Sequence, residues 1–174
     1  MRLDGKSEEW LTLGQMDATD RKLLVLLQED STLSIAQLAE QVGLSATPCW
    51  KRIQRLEADG VIERRVALVD PQKVGLGLSV FVAIEAGDHS PAWMDRFAAT
   101  VIAMPEVMEA HRMAGDVDYM LRVVTTDLAA YDQFYKRLIA AVAPKNVSSR
   151  VSMERVKSTT ALPLPQSPPS PRRK

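Results

Sequence analysis

The sequence has one cysteine, few aromatic residues and no excess of charge of either sign. Because Cys49 stands alone, no disulfide can form within the chain, and we expect a protein of the reducing cytoplasm. Lys plus Arg and Asp plus Glu each number 22, so the overall basic charge of many nucleic-acid-binding proteins is missing and any such role must come from a local arrangement. No apolar run approaches the roughly 18 residues of a membrane span. The first nine residues also lack the apolar segment of a secretory signal.

What is present is ordinary globular composition, with 46% apolar and 25% charged residues in 174. This length suffices for one medium domain or two small ones. Residues 1–15 are mixed and polar, and we expect a flexible N-terminal extension. From Pro163 the chain reads PLPQSPPSPRRK, a composition that cannot bury a core, so residues 163–174 are predicted to be a disordered tail. Its three terminal basic residues suit weak DNA contact, although a solvated tail is the simpler interpretation.

Three compact helices are predicted between residues 17 and 59. The first begins at the N-cap Asp17 and runs to about Gln28. The second begins with Ser34 and Gln37, the two members of a capping box, and ends at Gly43. The third begins at the N-cap Ser45 and ends before Gly60. Pro48 is tolerated near its start because the N–H groups of the first turn have no intrahelical partner.

The second half of the chain has a different pattern. Residues 62–69 are predicted to form an extended linker strand. Strand-like runs follow at 78–85, 107–113, 119–124 and 147–157, and helical patterns begin after the cap residues Ser90 and Asp127. This βαββαβ order is that of the ferredoxin-like fold. The sequence therefore predicts an α+β protein with an N-terminal three-helix domain and a C-terminal ferredoxin-like domain.

Two helices joined by Gly43-Leu44-Ser45 after a third helix have the spacing of a helix-turn-helix, whose second helix enters the DNA major groove. At 100° per residue, Cys49, Ile53 and Leu56 share one side of that helix and are predicted to pack on the other two. The opposite side carries residue types that contact phosphates and base edges, namely Thr47, Lys51, Gln54 and Arg55. Arg52 and Trp50 flank the apolar stripe. Because residues 17–65 hold seven basic and eight acidic residues, a merely solvated polar face is the alternative.

Other candidate sites are less specific. Cys49 is a possible redox switch, but it lies on the apolar stripe without a partner thiol, so a buried core cysteine is the simpler interpretation. The run Gly115-Asp116-Val117-Asp118, near Glu109 and His111, fits no tight metal-ligand pattern, so no metal or other cofactor is predicted. It suits either a plain turn between strands or a loop that binds the two charges of an amino acid. No nucleophile–base pair is apparent, and we do not expect an enzyme.

Two separate motifs resemble those of a known family. Residues 44–57 (LSATPCWKRIQRLE), followed by Gly60-Val61-Ile62, are similar to the DNA-binding domain of the Lrp/AsnC (feast/famine) transcription regulators. Residues 114–119 (AGDVDY) resemble the Ser-Gly-Asp-x-Asp-Tyr loop of that family, and residues 152–157 resemble its last strand. The resemblance covers residues 16–162.

The resemblance implies a helix-turn-helix domain with hinge at 16–77, its motif at 35–54, and an ACT-like effector-binding and oligomerisation domain at 78–160. The residues implied to contact DNA are Ser45, Thr47, Lys51, Arg52, Gln54 and Arg55. Those implied to bind a small effector, usually an amino acid, are Gly115, Asp116, Asp118, Arg150, Val151 and Ser152. Family members dimerise through the sheet, often assemble as octamers, and bind the effector between dimers.

Three short runs, 47–52, 75–78 and 112–115, are most similar to the branch of the family that responds to cysteine or related sulfur amino acids. We therefore expect a cytoplasmic, effector-responsive DNA-binding regulator of amino-acid metabolism genes. Two alternatives stay open at this point. One is an amino-acid sensor that acts through protein partners, and the other is a small enzyme built on the βαββαβ sheet.

Overall fold

The protein, described here from a computed structural model of residues 16–165, divides into two units. The helical unit holds residues 16–67 together with 157–165, and the sheet unit holds residues 68–156. The chain therefore leaves the helical unit once and returns to it, so residues 157–160, predicted to belong to the C-terminal domain, lie in the helical unit. The expected flexible extension and the tail from residue 166 onward lie outside the described residues.

The helical unit contains the three predicted helices: α1 (Ala18–Glu29), α2 (Ile35–Val42) and α3 (Ala46–Ala58). Local signals define their ends. The Ser34 side chain accepts the N–H of Gln37 in a capping box, and Gly43 ends α2 at a φ of 71°, in the left-handed region that glycine adopts without strain. A small apolar core joins the three helices, formed by Leu23, Leu38, Ala39, Cys49 and Ile53.

Residues 157–165 have no regular secondary structure and contact α1 through Leu162. The side-chain amide of Gln28 contacts the main chain of Leu162 in both directions. Its Oε1 accepts the Leu162 N–H at 2.7 Å, and its Nε2 donates to the Leu162 carbonyl at 3.5 Å. One side chain of α1 thus satisfies both backbone polar groups of a residue 134 positions later.

The sheet unit has the predicted βαββαβ order. Its elements are β1 (Leu78–Glu85), α4 (Pro91–Ala103), β2 (Val107–Arg112), β3 (Tyr119–Thr125), α5 (Leu128–Val142) and β4 (Asn146–Val151). The four antiparallel strands lie in the order β2-β3-β1-β4. Alternate residues Val80, Val82 and Ile84 of β1 are fully buried in a core shared with α4 and α5. The indole N–H of Trp93 closes this core by donating to the Val142 carbonyl at 2.7 Å.

Two strand predictions were wrong. Residues 62–69 form no strand and pair with no other strand of the described chain. The last strand ends at Val151 rather than at Lys157, because its partner β1 begins at Leu78 and Val80 already pairs with Val151. Beyond that point Met153 is 95% exposed, since no neighbouring layer covers it. None of the helices within residues 16–165 has the length and apolarity needed to cross a membrane.

Candidate DNA interface and effector site

Helix α3 buries one side and exposes the other, as its sequence period requires. Cys49, Ile53 and Leu56 are at most 1% exposed. Burial raises the pKa of the Cys49 thiol, and the sequence offers no second cysteine to pair with it. Cys49 therefore fills the core of the helical unit, as the simpler interpretation held, and a thiol buried in this way is a poor nucleophile.

The exposed side of α3 carries Thr47, Lys51 and Gln54. The Gln54 amide donates to Glu57 Oε2 at 2.9 Å, while its carbonyl oxygen is left available. Ser45 occupies the predicted N-cap position, yet its hydroxyl makes no capping hydrogen bond and is exposed. These four predicted DNA-contacting residues lie at the surface around the first two and a half turns of α3, and none of them forms a described ion pair.

The other two, Arg52 and Arg55, bind the N-terminus of α1. Arg52 Nη1 lies 2.7 Å from Asp17 Oδ2 and 2.8 Å from Asp20 Oδ1, and Arg55 Nη2 lies 2.6 Å from Asp20 Oδ2. The Asp20 side chain is only 1% exposed, whereas the Arg52 and Arg55 side chains are 29% and 43% exposed. Asp20 thus joins α1 to α3 by a buried carboxylate that holds two guanidinium groups.

Sequence reasoning missed this cluster because it paired no side chain of α1 with α3. Asp20 also serves the first turn of α1, since its Oδ2 accepts the Asp17 N–H at 3.1 Å and its own N–H donates to Asp17 Oδ1 at 2.9 Å. The Asp20 N–H, aided by Arg52, lowers the pKa of Asp17. Hydrogen bonds to Asp20 and Asp17 raise the pKa of Arg52. The sequence signal that could have revealed the cluster is the pair of arginines three residues apart, on one edge of α3.

The predicted effector loop lies between β2 and β3. Gly115 has a φ of 133°, which side chains rarely adopt, and Asp116 is exposed without a described contact. Asp118 is instead tied into the loop after β1. Its Oδ2 accepts the Ala86 N–H at 2.8 Å, and its own N–H donates to the Ile84 carbonyl at 2.9 Å. Asp116 is therefore the carboxylate that is free to meet a ligand, and Asp118 shapes the loop.

The second group of predicted effector residues lies elsewhere on the sheet. Arg150 pairs with Phe81 and Val151 with Val80, and the Ser152 N–H donates to the Ser79 carbonyl at 2.9 Å. The effector loop is bonded to β1 at Ile84. At roughly 3.3 Å per residue, Arg150 and Ser152 are therefore about 10–17 Å away from it along the sheet. A single protomer does not bring the two groups together.

The face of the sheet opposite α4 and α5 is open. Phe81 lies at its centre, 41% exposed, with Arg122 on β3 and Arg150 on β4 as its cross-strand partners. Arg122 Nε donates to Glu109 Oε1 at 2.8 Å. A recess of about 460 Å³ adjoins this face, and its lining includes Phe81 and Arg122. An aromatic residue and an ion pair thus occupy a surface that the protomer leaves uncovered.

Glu109 and His111 lie on this open face, on strand β2 beside β3. Burial pushes the pKa of Glu109 upward, but the hydrogen bonds and charges of Arg122 and His111 lower it overall. His111 Nε2 lies 3.5 Å from Glu109 Oε2. Within residues 16–165, no three His, Cys, Asp or Glu side chains are placed to hold a metal ion together.

Comparison with known families matches both units. Residues 16–63 match the model of a winged helix-turn-helix DNA-binding domain, and residues 79–162 match the model of the Lrp/AsnC ligand binding domain.

Individual relatives agree with these matches. The chain is 52% identical over 150 residues to the DNA-binding transcriptional activator DecR of Escherichia coli, which covers 86% of this chain and 99% of that protein. It is 49% identical over 152 residues to the glutamate uptake regulatory protein of Zymomonas mobilis, covering 87% of this chain and 93% of the relative.

Solved structures give the same result. An AsnC family transcriptional regulator from Agrobacterium tumefaciens superposes with a TM-score of 0.83 at 59% identity, covering 85% of this chain and 97% of that one. A transcriptional regulator of Neisseria meningitidis, solved in complex with L-methionine, superposes with a TM-score of 0.81 at 33% identity, covering 85% and 96%.

Proposed function

We propose that this chain, which belongs to the Lrp/AsnC family of transcription regulators, binds operator DNA as a homodimer and that an amino acid controls its affinity for the DNA. It is a DNA-binding regulator with an amino-acid-binding domain, and its family is not enzymatic. In the proposed mechanism, two α3 helices meet half-sites that are one helical turn of DNA, or a multiple of it, apart. The regulator acts in the cytoplasm, where its operator is accessible.

The exposed side of α3 is the observation that carries the DNA proposal. Thr47, Lys51 and Gln54 are exposed on the side of α3 that faces away from the core, and Lys51 has no ion-pair partner among the described residues. We assign Lys51 to a phosphate, Gln54 and Thr47 to base edges, and Ser45 to a phosphate.

The two arginines have a different part in this proposal. Because Arg52 is held by both Asp17 and Asp20, we assign it to orienting α3. Arg55 bonds Asp20 through one nitrogen and is 43% exposed, so its remaining N–H groups are free to take a phosphate.

The open face of the sheet supports dimerisation. Phe81 at the centre, with the Arg122–Glu109 ion pair beside it, offers the aromatic and charged groups that protein interfaces use. A symmetric pair of such faces would bury Phe81 of both copies. We extend this to an octamer of four dimers, as the resemblance implies.

Further assembly bears directly on the effector site. Since one protomer keeps residues 115–118 apart from residues 150–152, the proposed amino-acid site requires a second copy of the chain. Gly115 and Asp116 supply groups for the ammonium of the ligand, Arg150 supplies a cation for its carboxylate, and Val151 and Ser152 shape the site. The effector then acts through its different affinity for two quaternary states.

The identity of the effector is proposed from similarity. The three short runs shared with the sulfur-amino-acid branch favour cysteine, and the related regulator from N. meningitidis was solved with L-methionine. The Z. mobilis relative is named for glutamate uptake, which makes glutamate the contrasting candidate.

The test begins with in vitro selection of duplex DNA from a random-sequence library by the full-length protein. Binding of the selected duplex is then titrated at several salt concentrations. Lys51→Ala is expected to weaken binding and to lower the slope of log affinity against log salt by about 1, because one phosphate contact is lost. Lys136→Ala, which removes an exposed lysine of α5, is the matched control and should leave the slope unchanged.

The effector arm uses the same assay with cysteine, methionine, leucine and glutamate. Asp116→Ala and Arg150→Ala should abolish the response to the active amino acid and retain DNA binding. If selection enriches no DNA although a dimer forms and binds an amino acid, the alternative holds and the protein is a sensor that acts through protein partners.

A further inference from the structure

Trp50 is an aromatic side chain on the outside of α3. It is the one aromatic residue in residues 16–67. Its side chain is 49% exposed, and its indole N–H finds no hydrogen-bond partner in the part of the chain that the structure describes. A tryptophan has a large apolar surface and one hydrogen-bond donor. About half of the surface of Trp50 is uncovered, and its donor is unpaired among the described residues.

The position of Trp50 on the helix is informative. At 100° per residue, it shares an arc of about 100° with Thr47, Lys51 and Gln54. It also lies in the first two turns of α3, and the N-terminal part of a recognition helix is the part that contacts base edges. The indole therefore belongs to the surface that the proposed function assigns to the major groove.

The surroundings of Trp50 favour DNA over a protein partner. The exposed neighbours Thr47, Lys51 and Gln54 are polar or basic, and the exposed apolar neighbours, Ala46 and Pro48, are small. The indole is therefore the one large exposed apolar side chain of α3, and no extended apolar patch of the kind that marks a protein interface surrounds it. The major groove offers apolar groups that an indole can cover, the 5-methyl groups of thymine. Lys51, next to Trp50 in sequence, provides charge complementarity to the phosphates that flank them.

We propose that Trp50 determines operator specificity by apolar contact with a thymine 5-methyl group in the major groove. This inference rests on the proposed function, because it requires α3 to enter that groove. It adds a sequence-reading residue that is apolar, beside the polar residues already assigned.

The first experiment replaces the thymines of the selected duplex one at a time by deoxyuridine, which lacks only the methyl group. Wild type is expected to lose about four-fold in affinity at one or two positions per half-site, the factor for one buried methyl group. Trp50→Ala is expected to bind the parent duplex more weakly and to show no loss at those same positions. Lys51→Ala, the matched control, should keep the wild-type response to deoxyuridine.

The second experiment separates apolar contact from charge. Trp50→Ala should reduce affinity without changing the salt slope, whereas Lys51→Ala should lower that slope by about 1. Trp50→Leu, which keeps an apolar side chain, should retain part of the response. Unchanged thermal melting of both Trp50 variants establishes that the fold is intact.

Fluorescence keeps the inference testable if a variant fails to fold. In a Trp10→Phe background, Trp50 and Trp93 are the remaining tryptophans, and Trp93 is 3% exposed. Adding the selected duplex should therefore quench or shift the emission of Trp50, and Trp50→Phe should remove that change.

The outcomes distinguish failure of the Trp50 inference from failure of the proposed function. If wild type binds DNA with the Lys51-dependent salt slope, but no thymine substitution distinguishes it from Trp50→Ala and the emission is unchanged, Trp50 does not read DNA and this inference fails alone. If wild type binds no duplex at any salt concentration, the proposed function fails and the inference fails with it.

Discussion

Replacing Asp20 by alanine removes the carboxylate that joins α1 to α3. Asp20 accepts hydrogen bonds from Arg52 and Arg55 at 2.8 and 2.6 Å, and its side chain is almost completely buried. The variant leaves both guanidinium groups without this acceptor and opens the first turn of α1. We therefore expect loss of stability in the helical unit and a less firmly oriented α3.

The magnitude follows from burial. Breaking a buried ion pair costs about 3–5 kcal/mol. Here the two arginines are partly exposed and regain water, so the cost approaches that of one hydrogen bond to a charged group, about 1.5–3 kcal/mol. A loss of about 2 kcal/mol in a unit of this size lowers its melting temperature by about 8–16 °C.

Calorimetry of Asp20→Ala measures this shift, and Glu40→Ala, which removes an exposed carboxylate of α2, is the control. A double-mutant cycle of Asp20→Ala with Arg55→Ala then measures how far the effect of Arg55 on DNA affinity depends on Asp20. If Arg55 acts through Asp20, the effects on DNA affinity are not additive. An Asp20→Ala protein that melts within about 1 °C of wild type, or a fully additive cycle, refutes the reasoning.

Three further predictions concern single groups. The pKa of Asp17 is lowered below its ordinary value of 3.8 in the folded protein, so its contribution to stability is present above that pH and is lost as the pH falls below it. Asp17→Asn, which keeps an N-cap, should therefore reduce the difference in unfolding free energy between urea denaturation at pH 6 and at pH 3, and a difference equal to that of wild type would contradict this. Tyr131→Phe removes the hydroxyl that hydrogen-bonds Ser149 and should cost about 1 kcal/mol in urea denaturation, with no effect on DNA binding. Cys49 should resist an aromatic disulfide reagent until the helical unit unfolds; rapid labelling of the native protein would show that the thiol is accessible.

Elements fixed by local chemistry were predicted closely. The capping box of Ser34 and Gln37 with Gly43 defined α2 to the residue, and the β-branched run at 78–85 matches β1. Such signals are contained within a few positions of the sequence, so no knowledge of the tertiary structure is needed to interpret them.

Features that depend on distant partners were not predictable in the same way. The end of β4 is set by where β1 begins, and Asp20 meets Arg55 from 35 positions away. At the candidate site, helical periodicity separated the buried and exposed sides of α3 correctly. It could not show which basic side chains of α3 would form ion pairs with the carboxylates of α1. Arg55 was therefore grouped with Lys51, although the structure holds only Arg55 against a carboxylate.

The return of the chain to α1, where Gln28 binds Leu162, affects how the protein can be cut and recombined. A single proteolytic nick between residues 62 and 70 leaves the two units joined through residue 156. A gene ended at residue 77 encodes a DNA-binding domain that lacks Leu162, the hydrogen-bond partner of Gln28 on α1. Exchange of the sheet unit between relatives therefore needs two junctions, near residues 67 and 157, as in the insertion of a cassette.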